Sequence, residues 1–140
     1  MITYVDTSTL LKLIIDEEGS DRAELVWDTA ETLASVSLII VEARAALAAA
    51  TRGTRLTTQQ HKQAKDELSA LTGNLHLAAV TDDLIALAAN LAEAEGLRGY
   101  DAVHLAAALH LGASVLISAD EALCDAAGRS GMYVANPLVD

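Results

Sequence analysis

Short apolar runs alternate along the chain with longer segments in which apolar residues recur at helical spacing. The runs rich in β-branched and aliphatic residues predict strands at residues 2–5, 32–36, 75–80 and 114–118, and an edge strand at 132–134. Capping residues and glycines predict helices at 9–15, 20–27, 37–53, 57–71, 81–96, 100–111 and 118–128. This alternation predicts one α/β domain over residues 1–140, with a central parallel sheet of about four to five short strands flanked by helices.

Local signals sharpen three of the predicted helices. Thr57 and Gln60 match a capping box, and Ser118 with Glu121 matches a second one before the last helix. The helix at 37–53 is apolar nearly all round, which predicts that it is buried. We therefore expect the core to be built largely around helices.

Composition supports a single helix-rich domain. Hydrophobic residues make up 52% of the 140 residues and aromatic residues only 3%, so the core must consist of Leu, Ile, Val and Ala. Cys124 is the only cysteine, which excludes an internal disulfide and suits a reducing compartment. Residues 1–3 do not form the positively charged start of a signal peptide. Glu42 and Arg44 interrupt the longest apolar run. We expect a cytoplasmic protein without a membrane span.

The formal net charge of −11 excludes a broad basic face that holds nucleic acid. A polyanionic substrate would need a divalent cation to invert the field at an acidic site. The same acidity would also attract a basic partner protein.

Two predicted strands end at carboxylates. Asp6 follows the first strand, and Asp120 follows the strand at 114–118. The carboxyl ends of parallel strands lie at one edge of a sheet, where ligands bind, so these acids share a site if their strands are neighbours. The alternative for Asp6 is an ordinary helix N-cap, which Asp favours.

Glu42 stands on an apolar helix face, where an unpaired carboxylate would be costly. The residues that share this face are Leu38, Ala45, Ala46 and Ala49. A salt bridge, for example with Arg44, would explain it, and so would a metal-facing role, which we favour.

Asp101 lies in the first turn of the helix at 100–111, where the helix dipole favours an acid. It shares the inward stripe of this apolar helix with His104 and Leu105, so we expect it to point toward the edge of the core. We interpret His104 as a structural histidine that holds a carboxylate or the helix in place.

Other catalytic patterns are missing from the sequence. It has no His-Glu-x-x-His zinc motif, no phosphate-binding glycine loop and no readable Ser-His-Asp arrangement. The remaining chemistry is that of carboxylates, whose hard oxygens select Mg²⁺ or Mn²⁺.

These residues resemble the PIN-domain ribonucleases and, among them, the VapC-type toxins of bacterial toxin–antitoxin pairs. The resemblance covers essentially the whole chain. It rests on Val5–Ser8, Glu42, Leu97–Ala106 and Leu116–Asp120, in that order. Ser118 stands where such toxins often carry Thr, and it keeps the hydroxyl.

The resemblance implies an endoribonuclease that depends on Mg²⁺ or Mn²⁺, with Asp6 and Asp101 as direct ligands. Glu42 and Asp120 would complete the acidic pocket, directly or through water. Arg98, which precedes Asp101 by less than one helical turn, and Arg44 are our candidates for contacts with RNA, and we expect Ser8, Ser118 and His104 to support the site. The resemblance also implies a small antitoxin that occludes the site, and we expect a homodimer. The helix at 9–15 is our candidate surface for one of these partners.

Two other functions remain open at this point. A haloacid-dehalogenase-like phosphatase also begins from a strand-end Asp, but it requires a second Asp where this chain has Ser8. A catalytically inactive PIN-like scaffold is the non-enzymatic alternative. It has no evident reason to keep four acids in one pocket.

Overall fold

The computed structural model describes residues 1–139. Its centre is a parallel sheet of five strands in the order β3-β2-β1-β4-β5. The strands are β1 (Ile2–Val5), β2 (Thr32–Val36), β3 (His76–Ala78), β4 (Val115–Ile117) and β5 (Tyr133–Ala135). The helices are α1 (Thr7–Ile14), α2 (Ser20–Thr29), α3 (Leu38–Arg52), α4 (Thr58–Thr72), α5 (Asp82–Glu95), α6 (Gly99–Leu111) and α7 (Glu121–Arg129).

The central strand β1 sets the geometry of the carboxyl edge. It pairs with β2 on one side and with β4 on the other, and Val5 is in register with Ile117. The residues that follow these two strands, Asp6 and Ser118, therefore emerge side by side. The prediction that two strand-end segments meet at one edge is confirmed.

The sheet separates two apolar clusters, and β1 contributes to both because successive side chains of a strand point to opposite faces. Tyr4 packs with Leu116 of β4 and with Leu105 and other residues of α5, α6 and α7. Val5 packs on the other face with residues of α1, α3 and α4. These side chains are almost fully buried, so the carboxyl edge is supported from both faces.

The structure confirms the predicted α/β class and most of the element order. The capping box before α4 is also confirmed, since Thr57 Oγ1 accepts from Gln60 N at 3.0 Å and Gln60 Oε1 accepts from Thr57 N at 2.9 Å. The prediction of a second box is wrong: Asp120 caps α7, because Ser118 directly follows β4 and its N–H donates to Ala135 O. No helix within residues 1–139 is long and apolar enough to cross a membrane.

The prediction that α3 is buried all round is also wrong. Ile39 and Leu47 are fully buried, but Val41 on another face is 60% exposed. The helix covers only one side of the sheet, so its apolar outer residues have nothing from residues 1–139 packed over them. By contrast, the apolar side chains of α1 are buried or half-buried against the core, and its role as a partner surface stays a prediction.

Candidate active site

Asp6 lies at the centre of the carboxyl edge. It is only 4% exposed, and it is the N-cap of α1, where its Oδ1 accepts from Thr9 N at 3.1 Å. The same carboxylate accepts from the hydroxyls of Ser8 at 2.8 Å and Ser118 at 2.6 Å. The capping and the site interpretations of Asp6 are therefore compatible, because a carboxylate has about four acceptor positions.

Two serine hydroxyls tie Asp6 to the segment that follows β4. Ser118 Oγ donates to Asp6 and accepts from Asp120 N at 2.9 Å. Ser8 Oγ donates to Asp6 and accepts from Ala119 N at 3.0 Å. Each hydroxyl uses both its donor and an acceptor position, which fixes the orientation of the Asp6 carboxylate relative to the start of α7.

Glu42 is held by a buried network that runs through the core. Its Oε1 accepts from Thr7 Oγ1 at 2.8 Å and lies 2.7 Å from His104 Nε2. His104 Nδ1 lies 2.7 Å from the hydroxyl of Tyr4, and the two rings meet edge to face at 5.8 Å. His104 is only 2% exposed, and both of its ring nitrogens have partners, which is compatible with a structural histidine.

The hydrogen bonds assign one tautomer to His104. Burial raises the pKa of Tyr4 well above its ordinary value, and Asp6 and Glu42 raise it further, so its hydroxyl keeps the proton and donates to Nδ1. The Nε2–H group then donates to Glu42. Burial alone would raise the pKa of Glu42, but the contacts with His104 and Thr7 outweigh it and hold that pKa below its ordinary value. Glu42 is thus kept as a carboxylate.

Arg98 joins the remaining two acids. Its Nε donates to Asp101 Oδ2 at 3.0 Å, and its Nη2 donates to Asp120 Oδ2 at 3.1 Å. The other oxygen of Asp120 caps α7 by accepting from Leu123 N at 2.9 Å. Hydrogen bonds therefore connect three acids from distant segments of the chain, Asp6, Asp120 and Asp101, through Ser118 and Arg98. Glu42 is tied to this group only through the backbone, because Thr7, which donates to it, directly follows Asp6.

The electrostatic field at this edge is negative. Burial raises the pKa of Asp101, Asp120 raises it further, and Arg98 offsets only part of the increase. Burial and the charges of Asp6 and Asp120 also raise the pKa of Cys124 to about 11. The Cys124 thiol is therefore protonated and donates to Ser118 O at 3.2 Å, which excludes it as a nucleophile.

The donors at this edge suit a divalent ion by their chemistry. They are carboxylate oxygens, and one cation, the guanidinium of Arg98, already bridges two of them. Within residues 1–139, however, no three Asp, Glu, His or Cys side chains converge closely enough in this arrangement to hold a metal ion. Asp101 and Asp120 are engaged by Arg98, and Glu42 is engaged by His104.

Asp101→Asn is expected to raise the melting temperature of the metal-free protein by a few degrees at pH 7. Because the folded-state pKa of Asp101 is raised, the folded protein binds this proton more tightly than the unfolded chain does. Its contribution to stability is complete below the unfolded pKa, about 4, and is lost as the pH rises through the folded value. The Asn side chain avoids that loss and can still accept from Arg98.

Thermal unfolding of wild type and Asp101→Asn in excess chelator, at pH 7 and near pH 3, checks the direction of this change in melting temperature. Asp83→Asn is the matched control, because Asp83 also lies in the first turn of a helix but is exposed. We expect no stabilisation in the control and no difference between wild type and Asp101→Asn at the lower pH. A lower melting temperature for Asp101→Asn at pH 7 would contradict this result and would make Asp101 a structural cap.

Arg44 is not part of the hydrogen-bonded network. It lies two residues from Glu42 in α3 and is exposed on another side of the helix, where it lines a cleft of about 280 Å³ with Lys65. A contact between Arg44 and RNA stays a prediction. A second cleft, of about 430 Å³, is lined by Thr32 and His76 at the starts of β2 and β3, at the opposite edge of the sheet from the acids.

Sequence reasoning missed two members of the network. Thr7 and Tyr4 flank Asp6 on the same strand and helix start, and each contacts a group that is about a hundred residues away or on another helix. The hydroxyl of Tyr4 in a strand that the sequence predicts to be buried was the available signal, since a buried Tyr hydroxyl needs a partner.

Comparisons with known proteins point to one family. The PIN-domain family model matches residues 3–129. Ribonuclease VapC45 of Mycobacterium tuberculosis is 38% identical over 99% of this chain and 98% of its own length. The structure of PAE2754 from Pyrobaculum aerophilum superposes with a TM-score of 0.73 at 23% identity, over 96% of this chain and 83% of the other. A toxin–antitoxin complex from Klebsiella pneumoniae gives a TM-score of 0.65 at 21% identity, over 96% of this chain and 97% of the other.

Proposed function

Because this chain belongs to the PIN-domain family, we propose that it is an endoribonuclease that hydrolyses RNA phosphodiester bonds with Mg²⁺ or Mn²⁺. The observation that carries the proposal is that one edge of the sheet holds acids from separate elements, with Asp6 joined to Asp120 through Ser118 and Asp120 joined to Asp101 through Arg98. The mycobacterial relative, which matches over nearly its whole length, is a ribonuclease by name. A phosphatase that requires a second Asp has no support, because Ser8 orients Asp6 instead.

Some residues of the chain would hold the ion, and others position the acidic side chains. Asp6, Asp101 and Asp120 would hold the ion, with Glu42 contributing directly or through water. A bound divalent ion lowers the pKa of water and offsets charge on the phosphoryl oxygens. Ser118 and Ser8 fix the Asp6 carboxylate. His104 and Thr7 keep Glu42 ionised, and the buried core behind them limits their movement.

We further propose that the protein is the toxin of a toxin–antitoxin pair and acts on RNA in the cytoplasm. The Klebsiella complex of the same fold is a toxin–antitoxin assembly by its title. An antitoxin that presents a basic side chain would suit the negative field at Asp101 and Asp120. Formation of a homodimer is part of the same proposal, and the uncovered apolar residues Ile40 and Val41 of α3 are compatible with it.

Expression in a bacterial host tests the toxin proposal. We expect the wild-type protein to arrest growth and Asp6→Asn to leave it unchanged. Coexpression with its cognate small antitoxin should restore growth, and the two proteins should copurify. Normal growth on wild-type expression, with no copurifying small partner, would contradict the toxin assignment while leaving a nuclease activity open to direct assay.

A further inference from the structure

Arg98 occupies a position that the proposed function does not explain. Its guanidinium contacts Asp101 and Asp120 at once, and these are two of the acids proposed to hold the metal. It does so from an exposed place, since 64% of its side chain is accessible to solvent. A guanidinium is always charged and presents its donors in a planar fork, so it can neutralise two carboxylates together.

We propose that Arg98 is an internal counter-cation that competes with the divalent ion for Asp101 and Asp120, an inference that rests on the proposed metal-dependent function. With no ion bound, Arg98 holds the two acids together. When the ion binds, Arg98 gives up at least one of them.

Three features of the structure support exchange rather than permanent pairing. Arg98 is at the N-cap position of α6, where only its backbone takes part in the helix start, so its side chain can move without disturbing α6. The guanidinium also lies 5.0 Å from the centre of the exposed Tyr100 ring, which offers it a second contact. Exposed ion pairs contribute little to stability, so a divalent ion can replace them.

The charges on the two acids also favour exchange. Arg98 brings one unit charge to two carboxylates, with its nitrogens 3.0 Å from Asp101 Oδ2 and 3.1 Å from Asp120 Oδ2. A doubly charged ion at this place would balance both carboxylates. Removing Arg98 should leave the acids with more unbalanced negative charge and a higher affinity for the ion.

Calorimetric titration of the metal-free, full-length protein with MnCl₂ tests the proposal. Arg98→Gln should bind Mn²⁺ about fivefold more tightly than wild type, at the low end of typical coupling between sites because Arg98 is exposed. Arg129→Gln is the matched control, because Arg129 pairs with Glu95 at a similarly exposed place on other helices. It should bind like wild type. High monovalent salt should reduce the difference in Mn²⁺ affinity between Arg98→Gln and wild type, since salt screens the ion pairs that Arg98 makes with Asp101 and Asp120.

Thermal unfolding gives a second readout that does not depend on activity. Arg98→Gln should melt lower than wild type in chelator and gain more from saturating Mg²⁺. Equal or weaker Mn²⁺ binding by Arg98→Gln, beside a wild type that binds the ion and cleaves RNA, would overturn the role of Arg98 alone. Absence of Mn²⁺ binding in every protein, together with no cleavage by wild type, would overturn both this inference and the proposed function.

Discussion

Asp6→Asn is expected to lower the rate of RNA cleavage by about a hundredfold to a thousandfold, the range found when one preorganised electrostatic group is removed from an active site. Asp6 is buried, and Ser8 and Ser118 fix both of its oxygens. Its charge cannot be replaced by a neighbour, because Glu42 is held by His104. Replacing one carboxylate oxygen by an amide removes an anionic ligand from the centre of the site.

The structure predicts that this variant folds. Asn is as good an N-cap as Asp, so Thr9 N keeps an acceptor at the start of α1. Circular dichroism and thermal unfolding should therefore be close to wild type. Asp66→Asn, which removes an exposed acid from α4, is the control for lost charge and should cleave normally. Asp6→Asn with at least half of the wild-type rate would contradict the role of Asp6.

Local signals in the sequence predicted much of this arrangement. Strand 2–5 and the strand near residue 116 each end at a polar residue, and parallel pairing of β1 with β4 brings those ends together. The inward stripe of α6 likewise predicted a buried Asp101 and a structural His104, and both are buried. These successes depend on short-range periodicity and on the handedness of parallel crossovers, which sequence patterns express directly.

The partners of the acids could not be predicted in the same way. Glu42 was expected either to face a metal or to pair with a base such as Arg44, but the structure pairs it with His104, 62 residues away. Arg98 was expected to contact RNA, which stays a prediction, and its bridge between two acids that are separated in the chain was not expected. Such contacts depend on how helices pack across the sheet, and the sequence contains no local signal for that packing.

The fate of Ser118 shows why a motif needs its structural context. Its spacing to Glu121 matched a capping box, but β4 pairing places Ser118 N on Ala135 O and turns its hydroxyl toward Asp6. Asp120 is the N-cap of α7 instead. The hydrogen bond from Ser118 to the buried Asp6 carboxylate therefore takes the place of the predicted helix cap.

Removal of divalent ions is expected to reduce RNA cleavage to the background rate. The chain carries a formal net charge of −11. At the carboxyl edge, burial and then the charges of neighbouring acids raise the pKa of both Asp101 and Cys124. A phosphodiester that approaches this edge without a cation meets like charge from every acid in the network. Arg98 is the basic side chain of the network, and two carboxylates already engage it. We therefore expect the protein to require a bound divalent ion, both for binding the RNA phosphodiester and for its hydrolysis.

Cleavage of an end-labelled single-stranded RNA by the purified protein tests this central claim most directly. Wild type and Asp6→Asn, purified side by side, are incubated in excess chelator, in Mg²⁺ and in Mn²⁺, and the products are separated on a denaturing gel. We predict discrete cleavage by wild type with either ion, intact RNA in chelator, and recovery of activity when Mg²⁺ is added back. Undiminished cleavage by wild type in excess chelator, or equal cleavage by Asp6→Asn, would contradict a metal-dependent site built on these acids.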